Sequence, residues 1–245
     1  MSAQTPWEEE AERWVAWART PEHDVFEYYA PSFFAEVVPP AVGLTLEIGC
    51  GEGRVARALA SRGHDVIAVD ASPTLVRSAR AADAGQAYLV ADATELPFAG
   101  GAFQCVVAYN SLQTMAELAD MAEAVAEAGR VLGPSGCFCM CVAHPMTDVG
   151  RASEPTPGGE LIITGSYFER ERVDETVTKN GLAMTFHGWT HTLEDYARAL
   201  EDAGFLIRRV REPLPGAEHV STRAGLDRWR RVPLFLFVRA VKRGP

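Results

Sequence analysis

LTLEIGCGEG, residues 44–53, joins a short apolar run to three closely spaced glycines. The segment that follows places Val55, Ala58 and Leu59 on one helical face and ends at Gly63. A strand, a glycine turn and a helix in that order begin a βαβ unit. Further apolar runs, each typical of a buried strand, cover residues 66–69, 87–90, 103–109 and 137–142. The alternation predicts an α/β fold with a largely parallel sheet and helices on both faces.

Residues 147–190 interrupt this alternation. The Pro- and Gly-rich segment 154–159 is followed by two runs, 161–164 and 183–187, that indicate strands or a hairpin. The regular pattern returns with a helix over 192–203, a strand over 205–210 and a last strand over 234–241. The final two strands predict a terminal hairpin on the sheet. We therefore interpret the chain as one domain with an insertion at 147–190.

The charge balance bears on possible partners. The 245 residues carry a formal net charge of −10, which disfavours nucleic acid and anionic membrane surfaces as partners. A basic cluster near the C-terminus is interpreted as a solvated helix face. Its members are Arg223, Arg228, Arg230 and Arg231. Because no basic leader precedes an apolar run and no run is long enough to span a bilayer, we expect a cytoplasmic protein without membrane association.

Three of the five cysteines alternate along one predicted strand. The two-residue period of Cys137, Cys139 and Cys141 places their side chains on one face of that strand. Metal sites of the CxxC type instead use a turn to converge their sulfurs. The pattern favours small buried hydrophobic side chains, with a metal site as the alternative, and we predict no metal.

The glycine loop lies where open α/β sheets bind ligands, between the end of a strand and the start of a helix. Its spacing, Gly49-x-Gly51-x-Gly53, differs from the GxGxxG of dinucleotide-binding loops. The acidic Glu47 just before it would repel a pyrophosphate and attract the ammonium of an amino-acid moiety. Spacing and charge together favour S-adenosylmethionine over NAD. An ordinary strand-to-helix turn is the alternative for the loop taken alone.

Two further carboxylates end predicted strands. Asp70 ends the second strand, where its acceptor-only side chain can bind both ribose hydroxyls. Asp92 ends the third strand, where its carboxylate can accept a hydrogen bond from the exocyclic amine of adenine. Each could instead be a turn residue or a helix N-cap, and the Ser72-Pro73 pair after Asp70 keeps that alternative open.

These motifs together resemble the class I S-adenosylmethionine-dependent methyltransferases, in particular the bacterial small-molecule enzymes. The matching segments are residues 46–53, 69–72, 92–98, 103–111 and 130–136. The resemblance implies a Rossmann-like, doubly wound sheet of seven strands with an antiparallel last strand, and S-adenosyl-L-methionine as cofactor. The residues expected to contact the cofactor are Tyr29, Glu47, Gly49, Cys50, Gly51, Asp70, Ala71, Ser72, Asp92, Ala93, Thr94, Asn110 and Ser111.

The resemblance also suggests a role for each part of the domain. Residues 1–43, rich in Trp and Tyr, are expected to form a helical cover over the cofactor, and 44–146 the cofactor-binding core. The insertion 147–190 is expected near the acceptor site, and 191–245 to supply a helix and the closing strands. For the N-terminal segment, simple packing on the sheet edge is the alternative.

Methyl transfer from a sulfonium depends mainly on alignment and the exclusion of water, and it needs a general base only when the acceptor must lose a proton. His144, after the fifth strand, is the first candidate for that base, followed by His187 and His191; a structural histidine is the alternative for each. We expect a small-molecule acceptor. Methylation at O, N or C and the oligomeric state stay open. The rival functions are a catalytically silent S-adenosylmethionine-binding or regulatory protein and, less favoured, an NAD-dependent oxidoreductase.

Overall fold

The computed structural model of the chain describes residues 4–148, 150–152, 161–163, 165–216, 219 and 226–243. The predicted loop 154–159, the last residue of the run 161–164, and Arg223 of the basic cluster lie outside the described residues.

A seven-stranded sheet forms the centre of the domain, with the strand order β10-β11-β5-β4-β1-β2-β3. Strands β1 to β5 pair in parallel, whereas β11 is antiparallel to both of its neighbours, β5 and β10. The predicted fold class and the antiparallel last strand are therefore confirmed. The strands are β1 (Leu44–Ile48), β2 (Asp65–Asp70), β3 (Ala87–Val90), β4 (Phe103–Tyr109), β5 (Leu132–Ala143), β10 (Phe205–Arg211) and β11 (Phe235–Lys242).

Helices cover both faces of this sheet. The helices are α1 (Gln4–Glu9), α2 (Ala11–Arg19), α3 (Phe26–Glu36), α4 (Arg54–Ala60), α5 (Pro73–Ala82), α6 (Leu118–Val131), α7 (Pro145–Asp148) and α8 (Leu193–Asp202). Val106 belongs to the core cluster shared with α6 and α8, and its neighbour Val107 to the cluster shared with α3, α4 and α5. Adjacent residues of β4 are thus buried on opposite faces, which explains the continuous apolar run of that strand.

The three alternating cysteines are buried free thiols on the α3 side of the sheet. Cys105, on β4, lies beside them. Its Sγ is 3.9 Å from the Sγ of Cys137, and the Sγ of Cys137 is also 3.9 Å from the Sγ of Cys139. Their predicted burial is confirmed. The prediction that no metal binds stays a prediction.

The two apolar runs of the insertion are strands, as one of the two predicted alternatives had it, but they do not pair with each other. Strand β6 (Gly150–Ala152) pairs with β7 (Leu161–Ile163), and β8 (Arg172–Lys179) pairs with β9 (Leu182–Trp189). A two-residue turn, Asn180-Gly181, joins β8 to β9 with φ of 49° and 80°, as type I′ hairpins require. The charged, exposed β8 has no apolar run, so its strand was not predicted.

None of the helices in the described part of the chain combines the length and the apolar character that crossing a bilayer requires.

Candidate functional site

A cavity of about 1520 Å³ opens at the carboxyl edge of the sheet. Single-ligand pockets usually enclose about 300–1,000 Å³, so this one has room for a cofactor and an acceptor together. Its walls come from the loops after β1, β2, β3 and β4, from α1–α3, from the β8–β9 hairpin, and from the segment that leads into β11. The parallel register of β1 with β2 and β4 brings their ends to this one edge.

The loop after β1 is shaped by its glycines. Gly49, Gly51 and Gly53 have φ of 71°, 56° and 87°, a region that favours residues without a Cβ. A Cβ on Gly49 would lie 2.3 Å from the Cβ of Ser111, whose hydroxyl donates to the Ile48 carbonyl at 2.9 Å. Glycine is therefore required here by both conformation and space, and the loop backbone is left open toward the cavity.

Glu47 lies at the floor of the cavity and is 1% exposed. Its Oε2 has no hydrogen-bond partner among the described residues. Burial raises the pKa of this carboxyl well above its ordinary value, and the nearby Asp70 raises it further. A buried carboxyl with an unused oxygen is costly unless a cationic or donor group binds it. The site therefore fits a ligand that carries an ammonium group, as an amino-acid moiety does.

Asp70 fixes the glycine loop through both of its oxygens. Oδ2 accepts the Gly51 N–H at 2.7 Å, and Oδ1 accepts the Ser72 N–H at 2.9 Å. The Ser72 hydroxyl in turn caps α5 by accepting the Leu75 N–H at 3.1 Å. Burial raises the pKa of Asp70. A carboxylate offers about four acceptor positions, so two stay available for a ligand's hydroxyls.

Asp92 is exposed at the rim of the cavity, and its Oδ1 accepts both the backbone N–H and the hydroxyl of Thr94, at 3.0 and 2.8 Å. The turn role considered for the two aspartates therefore exists in both cases. It leaves each side chain facing the cavity, where ligand binding remains a prediction.

The N-terminal helices lie over the glycine loop. A Cβ at Gly51 would be 3.1 Å from Trp14 Nε1, so the indole of α2 lies directly against the loop backbone. The carboxylate of Glu8, on α1, accepts from the hydroxyls of Ser72 and Thr74 at the start of α5. Arg54 stacks between Trp14 and Phe26, with its guanidinium carbon 4.8 and 4.3 Å from the two ring centres.

The β8–β9 hairpin closes the cavity from above and carries a histidine–aspartate pair. His187 Nδ1 lies 2.6 Å from Asp174 Oδ1, and Arg172 Nε donates to Asp174 Oδ2 at 2.8 Å. The hydrogen bond from His187 is the main cause that lowers the pKa of Asp174. Phe186, on the same strand, packs edge-on against Trp14 and anchors the hairpin to α2.

The cavity brings together every predicted cofactor residue except Tyr29. Tyr29 is fully buried and packs edge-on against Phe235 at the start of β11, with ring centres 5.1 Å apart. Its helix, α3, turns an aromatic face toward β11, as the contact between Phe33 and Phe237 shows. The structure thus places Tyr29 behind Phe235 and not in the cavity lining, and its expected contact with the cofactor stays a prediction.

Of the three candidate bases, His187 alone lines the cavity. His144 is 2% exposed, and both ring nitrogens are engaged: Nδ1 accepts the Met146 N–H at 3.1 Å, which leaves Nε2–H to donate to Glu212 at 2.9 Å. Burial lowers its pKa. The first-ranked candidate is thus a structural histidine in this arrangement.

His191 is also buried, at 4% exposure, beside Tyr196. Burial, reinforced by the charge of Arg170, lowers its pKa to about 4. It is not among the residues that line the cavity. A hydrogen-bonded structural histidine, the alternative considered for each candidate, fits His144; both ring nitrogens of His191 are buried without a hydrogen-bond partner among the described residues.

Several lining residues were not predicted from the sequence. Trp7, Asp174 and Arg228 all face the cavity, and Arg228 belongs to the cluster interpreted as a solvated helix face. That interpretation is wrong for Arg228, which is half-buried in the cavity wall. Arg231 lines the cavity but is exposed, and Arg230 is exposed and donates to the Pro215 carbonyl at 3.2 Å. Arg228 and Arg230 both belong to a short 3₁₀ helix, Asp227–Arg230. Arg228 is half-buried and Arg230 is exposed although they are two residues apart, and no pattern in the sequence indicates that difference.

Comparisons with known proteins agree with the fold and the glycine loop. A family model described as "Methyltransferase domain" matches residues 46–140. An uncharacterised methyltransferase of Mycobacterium tuberculosis is 32% identical over 108 residues, 44% of this chain and 43% of that protein. A malonyl-[acyl-carrier protein] O-methyltransferase of Pseudescherichia vulneris is 27% identical over 168 residues, 68% of this chain and 62% of that protein. The chain thus spans about half the length of these curated relatives.

Among solved structures, an S-adenosylmethionine-dependent methyltransferase from Mesorhizobium loti superposes with a TM-score of 0.70. The two sequences are 23% identical, and the alignment covers 88% of this chain and 98% of that one. At this identity the superposition establishes the fold. The motif spacing, the strand order and the family match agree: residues 46–140 match a methyltransferase domain, and the chain has the fold of known S-adenosylmethionine-dependent methyltransferases.

Proposed function

We propose that the protein transfers a methyl group from S-adenosylmethionine to a small-molecule acceptor bound in the same cavity. The observation that carries this proposal is Glu47, a buried carboxyl with an unused oxygen at the floor of a glycine-lined cavity. When bound, S-adenosylmethionine supplies an electrophilic methyl group on a sulfonium. Everything else in the reaction is binding, orientation and the exclusion of water by the chain itself.

At the cofactor end, Glu47 accepts the ammonium of the methionine moiety, and Asp70 accepts the ribose hydroxyls while it holds Gly51 in place. Cys50, Ala71, Ser72 and the loop after β3 complete this wall, together with Asn110 and Ser111 after β4. The acidic lining suits a ligand with two positive centres, an ammonium and a sulfonium. It does not suit the pyrophosphate of NAD.

At the acceptor end, α1–α3 and the β8–β9 hairpin act as the cover and the acceptor wall. His187 is the base for an acceptor that must lose a proton. Asp174 accepts the Nδ1–H of its ring, which fixes the tautomer and leaves Nε2 unprotonated to receive the acceptor's proton. The relatives named malonyl-[acyl-carrier protein] O-methyltransferase place oxygen acceptors among the first classes to test.

Two measurements test the proposal. Calorimetric titration with S-adenosylmethionine, S-adenosylhomocysteine and NAD should show binding of the two adenosyl ligands alone. A screen of metabolites for formation of S-adenosylhomocysteine should then identify an acceptor. Binding of NAD without a response to the adenosyl ligands would refute the assignment, and binding without turnover on any acceptor would favour a silent or regulatory protein of the same fold.

A further inference from the structure

The segment that leads into β11 brings an arginine to the wall of the cavity. Arg228 lies in the 3₁₀ helix Asp227–Arg230, whose start is fixed by the buried side chain of Leu226, 3% exposed. Its guanidinium carbon lies 4.4 Å from the centre of the Trp229 ring, which also lines the cavity. Stacking on an indole holds the planar guanidinium in one orientation while its N–H groups stay available at the edge.

Arg228 differs from other arginines of the cavity in its partners. Arg54 pairs with Asp24, and Arg172 pairs with Asp174. Within the described ranges of the chain, no carboxylate pairs with Arg228, and its Nε is buried without a hydrogen-bond partner. In a chain with a formal net charge of −10, a buried guanidinium nitrogen without an acceptor is costly to retain.

A second unused donor lies beside it. The hydroxyl of Tyr29 is buried and has no hydrogen-bond partner in the part of the chain that the structure describes. The charge of Arg228 acts on this phenol, although burial dominates and raises its pKa well above the ordinary value, so the hydroxyl stays a donor. Tyr29 packs against Phe235 at the start of β11, and Phe235 lines the same cavity as Arg228.

The strand order places these donors away from the acidic cofactor end. β11 lies three strand positions from β1, which is about 14 Å at the usual spacing of about 4.8 Å between strands. Glu47, Asp70 and Asp92 belong to β1, β2 and the loop after β3, on the other side of β4. The carboxyl groups expected to bind the cofactor and the guanidinium of Arg228 therefore belong to different walls of the cavity.

We propose that Arg228 binds a carboxylate of the acceptor and so makes the protein specific for anionic small molecules. The inference rests on the proposed function, because it names the acceptor class of the same cavity. A carboxylate accepts two parallel N–H bonds from a guanidinium fork, which matches the fixed plane of Arg228. Trp229 and Phe235 supply apolar surface for the body of such a molecule. The carboxylate anchors the acceptor and need not be the group that is methylated.

Matched pairs of acids and amides test this specificity without knowledge of the natural acceptor. Benzoate, phenylacetate and hexanoate are titrated into the full-length protein, each beside its primary amide, with and without S-adenosylhomocysteine. Three proteins are compared: the wild type, Arg228→Gln, and Arg230→Gln, whose side chain is exposed and does not line the cavity. Affinity for S-adenosylhomocysteine is measured for all three.

We expect the wild type to bind at least one acid about 10-fold or more tightly than its amide, the usual worth of a charge-assisted hydrogen bond. Arg228→Gln should abolish that preference and leave amide and S-adenosylhomocysteine binding unchanged, while Arg230→Gln should behave as the wild type. Equal binding of acids and amides, no binding of any acid, or equal effects of the two substitutions would overturn the inference. If S-adenosylhomocysteine does not bind but the Arg228-dependent preference for acids does appear, the proposed function fails and the anion site stands.

Discussion

Replacing Glu47 with Gln removes the ionisable group from the cavity floor and keeps the shape of the side chain. Because Glu47 is 1% exposed and its pKa is raised well above the ordinary value, the cofactor-free protein holds this carboxyl protonated over a wide pH range. Binding of an ammonium group beside it should stabilise the ionised form. S-adenosylmethionine should therefore displace a proton from Glu47 when it binds.

The expected loss of cofactor affinity follows from the hydrogen bond that Glu47 makes to the ligand and from the proton that Glu47 releases. A bond to a charged group is worth about 1.5–3 kcal/mol, so Glu47→Gln should weaken cofactor binding by about 10- to 100-fold at a pH where the wild-type complex is ionised. Below the pKa of Glu47 in the free protein, each pH unit should cost the wild type about 1.4 kcal/mol of binding free energy. Affinity of the wild type should thus rise with pH and then level off, and that of Glu47→Gln should be flat.

The free energy of unfolding should depend on pH in the opposite direction to cofactor affinity. A carboxyl whose pKa is raised in the folded state is protonated there while it is ionised in the unfolded chain, so the free energy of unfolding falls as pH rises from the unfolded pKa to the folded one. Cofactor-free Glu47→Gln lacks this loss. It should be as stable as the wild type at acidic pH and more stable at neutral pH, by thermal unfolding.

Calorimetric titration in buffers with different ionisation enthalpies measures the proton released per cofactor bound. Glu95→Gln, an exposed acid outside the cavity, is the control and should resemble the wild type. Unchanged affinity of Glu47→Gln, or no proton release by the wild type at any pH, would refute the reasoning.

Four other changes have defined outcomes. Asp70→Ala should weaken S-adenosylmethionine binding by about 10- to 100-fold by titration, because it removes ligand contacts and two loop hydrogen bonds; normal binding would reduce Asp70 to a dispensable turn residue. Gly49→Ala places a Cβ 2.3 Å from Ser111, so it should abolish binding or lower the melting temperature, and a normal protein would disprove the packing. With an acceptor that must lose a proton, His187→Ala should lower kcat by about 10²- to 10⁴-fold, and His144→Ala should leave kcat nearly unchanged; equal effects on turnover would remove His187 from the mechanism. Deletion of residues 1–20 should leave a folded sheet, by circular dichroism, that binds the cofactor weakly, unless these helices are only packing elements.

The sequence was most informative where function depends on local backbone. The glycine loop and the acidic ends of β1, β2 and β3 are each set by a few consecutive residues, so spacing and charge located them. The sequence did not indicate that Tyr29 and His144 lie outside the cavity lining, because their surroundings come from β11 and from Glu212, far away in the chain. No periodic pattern records which neighbour a side chain meets after the sheet has formed.

Charged surfaces were the second source of error. β8 consists mainly of charged and polar residues without an apolar run, and the turn at 180–181 joins it to β9. Arg228 and Arg230 are two residues apart in one basic cluster, yet one lines a cavity and the other is exposed. Composition predicts solvation for both, and only the fold separates them.

The position of β11 between β5 and β10 affects the order in which the protein can be assembled during synthesis. β5 and β10 leave the ribosome before β11. Neither can pair with β11 until residues 235–242 have also been synthesised. An unpaired central strand with buried side chains on both faces is prone to pair with other chains. The cofactor half of the sheet, β1 to β4, is independent of this delay, whereas the wall that holds Arg228 is completed last. Nascent chains that stop before residue 235 should therefore require chaperones, and they should aggregate without them.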